Sequence, residues 1–302
     1  MSWYRTILIP GLLLATLSGL PACDHGASYP VQADYARPGP YATTTGTVTG
    51  TTGTAIYDEY YPARYAALGF KSPVVTWGNG TGGKPADVAV FLRHLASYGF
   101  TVIATTLPNT GSGREIDAAA RYLVSQDGVL RSVFYHHLDI TEVAAVGASQ
   151  GAGGSVRAAM ADPSLYKTVL TFSLPNLFWV RPNPDCPTRK DCKFGLSGLT
   201  MPVFLISTHG PFDAVIASPA TEGAFFRSTK VHAALGIILF SERKLADHIS
   251  IAQNPGGFLG YATAWLEYRL RGDTTAARAF TGTHPELLSN TNWPGSAIKL
   301  SL

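Results

Sequence analysis

Apolar positions along the 302-residue chain fall into two rhythms that alternate. Short, largely apolar runs, interrupted chiefly by Ser and Thr, occur at 72–77, 100–104, 143–146, 167–173, 201–207 and 234–240. Between them, apolar residues recur at three- and four-residue spacing: Val90, Leu92, Leu95 and Ala96 within 86–98, then stretches at 116–123, 219–227 and 258–270. A run that is apolar at nearly every position and too short for a helix suits a strand buried on both faces, whereas the wider spacing lays one stripe of a helix on such a sheet. Repetition of the pair predicts an α/β fold with a mostly parallel central sheet and helices on both faces. Ahead of it, the Thr-rich stretch 43–54, with glycines around Val48, leads into Ala55-Ile56-Tyr57 and reads as opening antiparallel strands. One segment breaks the alternation: 174–200 is irregular and follows the strand at 167–173, so it is an insertion at that strand's carboxyl end.

The chain is organised around the end of the run at 143–146. There Gly147-Ala148-Ser149-Gln150-Gly151 interrupts the apolar residues, and Val156, Ala159 and Met160 resume at helical spacing. A Gly-x-Ser-x-Gly turn between a strand and a helix is a nucleophile elbow, in which glycines remove the Cβ atoms that would collide with neighbouring backbone and the serine hydroxyl is thrust into the open. Among 31 glycines the five-residue pattern would arise by chance about 0.2 times, so the flanking strand and helix carry the assignment. Ser149 is the candidate nucleophile.

A serine needs a base within hydrogen-bond reach, itself oriented by a carboxylate, and in this arrangement both follow the serine along the chain. Asp213, in Thr208-His209-Gly210-Pro211-Phe212-Asp213, lies just after the run ending at Ser207 and is the candidate acid. Asp185 and Asp191 flank the cysteines of the insertion and read as solvated loop charges; Asp247 adjoins the candidate base too closely to turn back to its ring. That base is His248, between the last strand and the closing helix, where His209 and His284 do not fall. An oxyanion hole needs two N–H donors, one from the residue after the nucleophile, Gln150, and one from the loop after an earlier strand. The loop is 78–83, with Thr81 the candidate donor and Gly80 or Gly82 the alternatives.

Composition narrows the picture further. With 46% hydrophobic and 14% charged residues the chain builds one sizeable core and is not disordered, and a scattered net charge of +3 excludes a nucleic-acid partner. Residues 1–22 read as an export signal: Arg5, an apolar stretch at 7–17, then Leu20-Pro21-Ala22-Cys23. The last four resemble a lipobox, which makes Cys23 a lipidation site and the new N-terminus of a lipoprotein at the cell envelope; Pro21 is unusual there, and ordinary cleavage to a secreted or periplasmic protein is the alternative. The apolar run is shorter than the ~20 residues of a spanning helix. Residues 23–40, broken by Pro30, Pro38 and Pro40, read as a tether, and 41–302 as one catalytic domain. In an exported protein the remaining pair, Cys186 and Cys192, forms one local disulfide, whereas a metal site would need further ligands nearby. No metal or cofactor is implied.

With these residues placed, the chain resembles bacterial α/β-hydrolases related to dienelactone hydrolases, chlorophyllases and cutinase-like polyester (PET) hydrolases, over roughly 41–280. The likeness is carried by Ile56-Tyr57 with Tyr61-Pro62, Gly78-Asn79-Gly80-Thr81, Leu95-Ala96-Ser97-Tyr98-Gly99-Phe100, Gly147-Ala148-Ser149-Gln150-Gly151, Ala246-Asp247-His248, and Tyr261-Ala262-Thr263-Ala264-Trp265 with Gly272-Asp273. It implies a serine hydrolase of carboxylic esters, with a small-molecule or lipid ester as substrate. The polyester hydrolases resemble one another in an aromatic clamp, and at its three positions this chain has Thr81, Ala148 and Asn176; their C-terminal disulfide also has no counterpart. The departures point to small esters rather than polymers. An acyltransferase with the same triad is the alternative from another reaction class, and a non-catalytic binding lipoprotein would have lost a triad member. The insertion is expected to wall the substrate pocket with Phe178 or Trp179, stapled by Cys186–Cys192.

Overall fold

The computed structural model describes residues 28–239, 247–253 and 255–300. The export signal, Cys23 and the first residues of the expected tether lie outside them. The described chain begins with α1 (Pro30–Ala36) and the hairpin of β1 (Thr43–Thr49) and β2 (Ala55–Pro62). Next come β3 (Ser72–Gly78), α2 (Ala89–Ser97), β4 (Thr101–Thr105), α3 (Arg114–Gln126), β5 (Leu138–Ala148), α4 (Gln150–Ala161) and β6 (Thr168–Phe172). The insertion holds only a 3-10 turn, Leu177–Trp179, and one helical turn, α5 (Arg189–Cys192). Then follow β7 (Val203–Thr208), α6 (Pro211–Ile216), α7 (Pro219–Ser228), β8 (Ala233–Ile238), α8 (Ser250–Gln253) and α9 (Gly256–Arg271). Two short helices, α10 (Thr274–Ala277) and α11 (Glu286–Ser289), and a final strand β9 (Ala297–Lys299) close it.

The nine strands among the described residues form one sheet in the order β1-β2-β4-β3-β5-β6-β7-β8-β9. It is parallel from β4 to β8 and antiparallel at both edges, where β1 pairs β2, β2 pairs β4, and β8 pairs β9. The largely apolar runs have their reason here: β3, β4, β6, β7 and β8 are buried at every position. Strand β5 is longer than its apolar run because its first half, Asp139 to Glu142, is partly exposed and carries polar residues. On one face Trp77, Phe91, Phe172, Phe204, Trp265 and Phe280 fill the space under α2 and α9. On the other, Ile103, Ile116, Val143, Val156 and Leu205 pack beneath α3 and α4.

Two expectations are corrected. The tether does not extend to residue 40, because α1 is docked on the body: Val31 and Tyr35 are buried, and Glu286 accepts the backbone N–H groups of Val31 and Gln32 at 2.8 Å each. Tyr35 Oη also donates to Asp273 Oδ2 at 2.5 Å. Pro30, read as a breaker, occupies the first helical position, where a missing N–H costs nothing. Second, Asp185 is no solvated charge. Its carboxylate accepts Ser112 N–H and Ser112 Oγ–H, both at 2.6 Å, and so pins the insertion to the loop before α3. The insertion itself buries Phe194, Leu196 and Leu199 in the second core, together with the disulfide of Cys186 and Cys192.

Candidate active site

Ser149 stands at the carboxyl end of β5, at the centre of the sheet. Its backbone has φ +53° and ψ −121°, a conformation L residues avoid, and it is held there by Ser149 N–H donating to Phe172 O at 2.9 Å. Helix α4 starts at the next residue. A Cβ on Gly147 would strike the Gly151 backbone, and one on Gly151 would strike the Gly78 and Asn79 carbonyls, so the two glycines let α4 settle against β3 and β5. Because α4 begins at Gln150, the N–H of Gln150 belongs to the first turn, which has no partner within the helix and faces the serine's surroundings.

The candidate acid and base arrive from elements far along the chain. Asp213, fully buried in α6, places Oδ1 2.8 Å from His248 Nδ1, and His248 Nε2 lies 2.8 Å from Ser149 Oγ. A carboxylate only accepts, so Nδ1 carries the proton and Nε2 offers its lone pair to the serine hydroxyl. Asp213 Oδ2 accepts Thr208 N–H at 3.0 Å and the Ser173 hydroxyl at 2.9 Å. The Ser207 hydroxyl, 3.4 Å away, gives its single proton to Ala217 O instead. Ser173 is itself in the left-handed region, φ +52°, and the next residue's N–H is held by Glu222 Oε1 at 2.7 Å. Burial raises the Glu222 carboxyl well above its ordinary range, and the charge of Asp213 raises it further.

The glycine-rich loop after β3 faces the serine, with Gly80 against Ser149 Cβ. Asn79, passed over in the sequence, ties this loop down: its amide donates to Thr105 O and Leu107 O at 2.7 and 3.0 Å, and its carboxamide oxygen accepts from Trp77 Nε1 at 3.1 Å. Gly82 N–H is spent on Pro108 O at 2.9 Å, which removes Gly82 from the candidate donors and leaves Thr81 and Gly80. Both line the same cavity as Ser149, Gln150 and His248.

That cavity encloses about 500 Å³. Its walls are chiefly apolar: Trp77, Val88 and Ala148 on the sheet side, Trp179, Val180 and Phe194 from the insertion. The insertion thus contributes Trp179, whose Nε1–H donates to Val215 O at 3.0 Å and fixes the ring. The expectation for Phe178 is corrected: it does not line the cavity, but stands 58% exposed at the rim with the Arg181 guanidinium 4.5 Å over its ring. Of the clamp positions, Thr81 and Ala148 do line the cavity, whereas Asn176 turns its side chain to Phe178 N–H. Asp185 with Cys186 and Cys192 is the one cluster of metal-ligand type among the described residues, and the disulfide removes both thiols from that role.

Over residues 23–178 the chain matches the model of the PETase family, described as PET hydrolase-like. The chain belongs to this PET hydrolase-like family. No curated protein matches it. The family is one of α/β-hydrolases acting on ester bonds, in keeping with the sheet and helices described above. In this PET hydrolase-like chain the matched stretch takes in the glycine-rich loop, the elbow and Ser149 but ends before Asp213 and His248. Those two are brought to the serine by the fold of the unmatched part. Sequence reasoning missed Asn79, Ser173, Glu222 and the contacts of Asp247, because each acts on a segment remote from its own: Ser173 on the Asp213 carboxylate, the other three on backbone groups.

Proposed function

We propose that the protein is a serine hydrolase of carboxylic esters that works through an acyl-enzyme on Ser149. The observation that carries this reading is the unbroken Asp213–His248–Ser149 chain, 2.8 Å at each link. In the first half-reaction His248 Nε2 takes the Ser149 proton as Oγ attacks the ester carbonyl, and Asp213 stabilises the imidazolium that forms. The carbonyl oxygen becomes negative and is met by the N–H groups of Gln150 and Thr81. His248 then gives the proton to the leaving alkoxide, the ester C–O bond breaks, and alcohol departs. Water repeats the sequence on the acyl-enzyme, with His248 as base and then acid, and releases the carboxylic acid. The apolar walls of the cavity favour small esters with hydrocarbon or aromatic parts.

Ser149→Ala, assayed with nitrophenyl esters of graded length, is expected to lower kcat/KM by roughly three orders of magnitude or more. A folded variant that retained a tenth of wild-type turnover would sink the nucleophile assignment. An added alcohol in the same assay separates hydrolysis from acyl transfer. A second reading, polyester cleavage, is favoured by the exposed apolar side chains Phe178, Trp179, Phe212, Val215 and Ile249 on the segments flanking the cavity, a surface suited to an insoluble substrate. Release of soluble acid from a polyester film tests it. We propose also that the chain is exported and lipid-anchored through Cys23; mass spectrometry of the N-terminal peptide from membranes checks this.

A further inference from the structure

Asp247 neighbours the base and touches neither Ser149 nor the His248 ring, yet its carboxylate joins the two segments that must meet for the triad to exist. Oδ1 accepts the backbone N–H of Asp213 at 3.1 Å and that of His248 at 2.7 Å; Oδ2 accepts Phe212 N–H at 3.3 Å. One carboxylate oxygen therefore holds both the acid residue and the base residue by their main chains. Asp247 is itself pinned: its N–H donates to Ser250 Oγ at 2.8 Å, and its carbonyl accepts Ser250 N–H at 2.8 Å. It is 6% exposed, so these bonds face little competition from water. The approach is possible because residue 210 is a glycine: a Cβ there would overlap the Asp247 carboxylate carbon. This link joins α6 to the loop of His248 in addition to the Asp213–His248 bond itself.

We propose that Asp247 is a positioning residue of the reaction, a clamp that sets the distance between the acid and the base so that His248 can span Asp213 and Ser149. The proposal rests on the serine-hydrolase reading above. A carboxylate is suited to the task because charge-assisted bonds to backbone N–H groups are short and strong, and because one oxygen can accept two of them. A displacement of the imidazole by 1 Å is worth about a hundredfold in rate. The clamp makes no contact with bound ester, so its loss acts on kcat and leaves KM nearly alone.

The test measures kcat and KM of Asp247→Ala, Asp247→Asn and Ser149→Ala on one nitrophenyl ester, with folding followed by circular dichroism. Asp247→Ala is expected to lose about a hundredfold in kcat with KM within about threefold of wild type. Asp247→Asn keeps the oxygen that accepts from Asp213 and His248, and is expected to recover to within about tenfold of wild type. In proton NMR the far-downfield His248 Nδ1–H signal should broaden or vanish in Asp247→Ala and persist in Asp247→Asn. Should Asp247→Ala not fold, Gly210→Ala serves instead: it keeps the Asp247 carboxylate but pushes it out of position, and is expected to lower kcat at least tenfold. A folded Asp247→Ala with kcat within threefold of wild type, or a folded Gly210→Ala with full kcat, would overturn the clamp. Substantial activity in Ser149→Ala would instead overturn the serine reading, so the two failures are distinct.

Discussion

The two halves of the site are held in place by different means. On the serine side, nearly everything that fixes Ser149 lies within a few residues of it: β5 before, α4 after, and Gly147 and Gly151 to allow the close contact with β3. On the acid–base side the local contacts, Thr208 to Asp213 and His248 to Asp247, are completed by bonds between distant segments. Asp213 is held by Ser173, Thr208 and Asp247, and the bond to His248 crosses 35 residues of sequence. The first half is a rigid local motif that tolerates no added atom. The second is a set of hydrogen bonds between segments, each of which can be weakened by itself. Steric damage on the serine side should therefore be all-or-none, and damage on the other side graded.

The largest effect should come from Gly151→Ala. Its Cβ would overlap backbone atoms of β3 that cannot move without breaking the sheet, so destabilisation should exceed the roughly 1–3 kcal/mol of ordinary overpacking, and activity should vanish. Denaturant melts with esterase assays check this; a variant that melts like wild type would remove the sterically rigid half of the contrast. Ser173→Ala should be milder. It deletes one of the bonds to Asp213 Oδ2 and leaves Thr208 N–H in place, so kcat should fall roughly tenfold, as for one bond to a charged group. A loss as complete as that of Gly151→Ala would mean that the acid side is no more graded than the serine side.

Smaller still is the expected effect of Trp179→Ala. The ring is 41% exposed and walls the cavity, so the preferred ester length should shift by a fewfold while the melting temperature barely changes. Phe178→Ala, outside the cavity, should shift it less. Equal shifts from the two variants across the ester panel would contradict their different placement. Last, Glu59→Gln should leave activity untouched and alter only stability. Burial, reinforced by Asp58, pushes the Glu59 carboxyl up to about 7 from an ordinary value of 4.5. A folded-state pKa above the unfolded one gives stability that is intact below about pH 4.5 and is lost as pH rises through 7. Glu59→Gln escapes that loss, so it should melt higher than wild type at pH 8 and no higher at pH 4. A melting difference that does not depend on pH would rule out titration as the cause.

Much of the fold was legible because its central strands are buried on both faces and so are mostly apolar, their polar positions being Ser and Thr such as Thr76, Thr171 and Ser207. Strand β5 was read short where its outer half is polar, and α6 was missed because six residues starting at Pro211 hold too few turns to show a period. Helix α1 was hidden for a different reason: only Val31 and Tyr35 face inward, and the carboxylates that anchor it, Glu286 and Asp273, come from the far end of the chain. Likewise the insertion was legible as an insertion, but Trp179 and Phe178 are neighbours of similar chemistry, and only the backbone path decides that one faces the cavity and the other solvent.

By itself, then, the sequence determined what short-range sterics and burial dictate: the alternation of strands and helices, the elbow at Ser149, and the residue types that could complete a triad. Tertiary structure alone decided how Asp213 and His248 are held, that Gly82 is spent while Thr81 and Gly80 remain on the cavity wall, that Glu222 is buried behind Asp213 with its carboxyl raised above the ordinary range, and that one oxygen of Asp247 accepts from the main chains of both Asp213 and His248. The reason is physical. A steric requirement is written in the residue that must be small, whereas a hydrogen bond to a remote backbone N–H leaves no mark on the sequence of its donor.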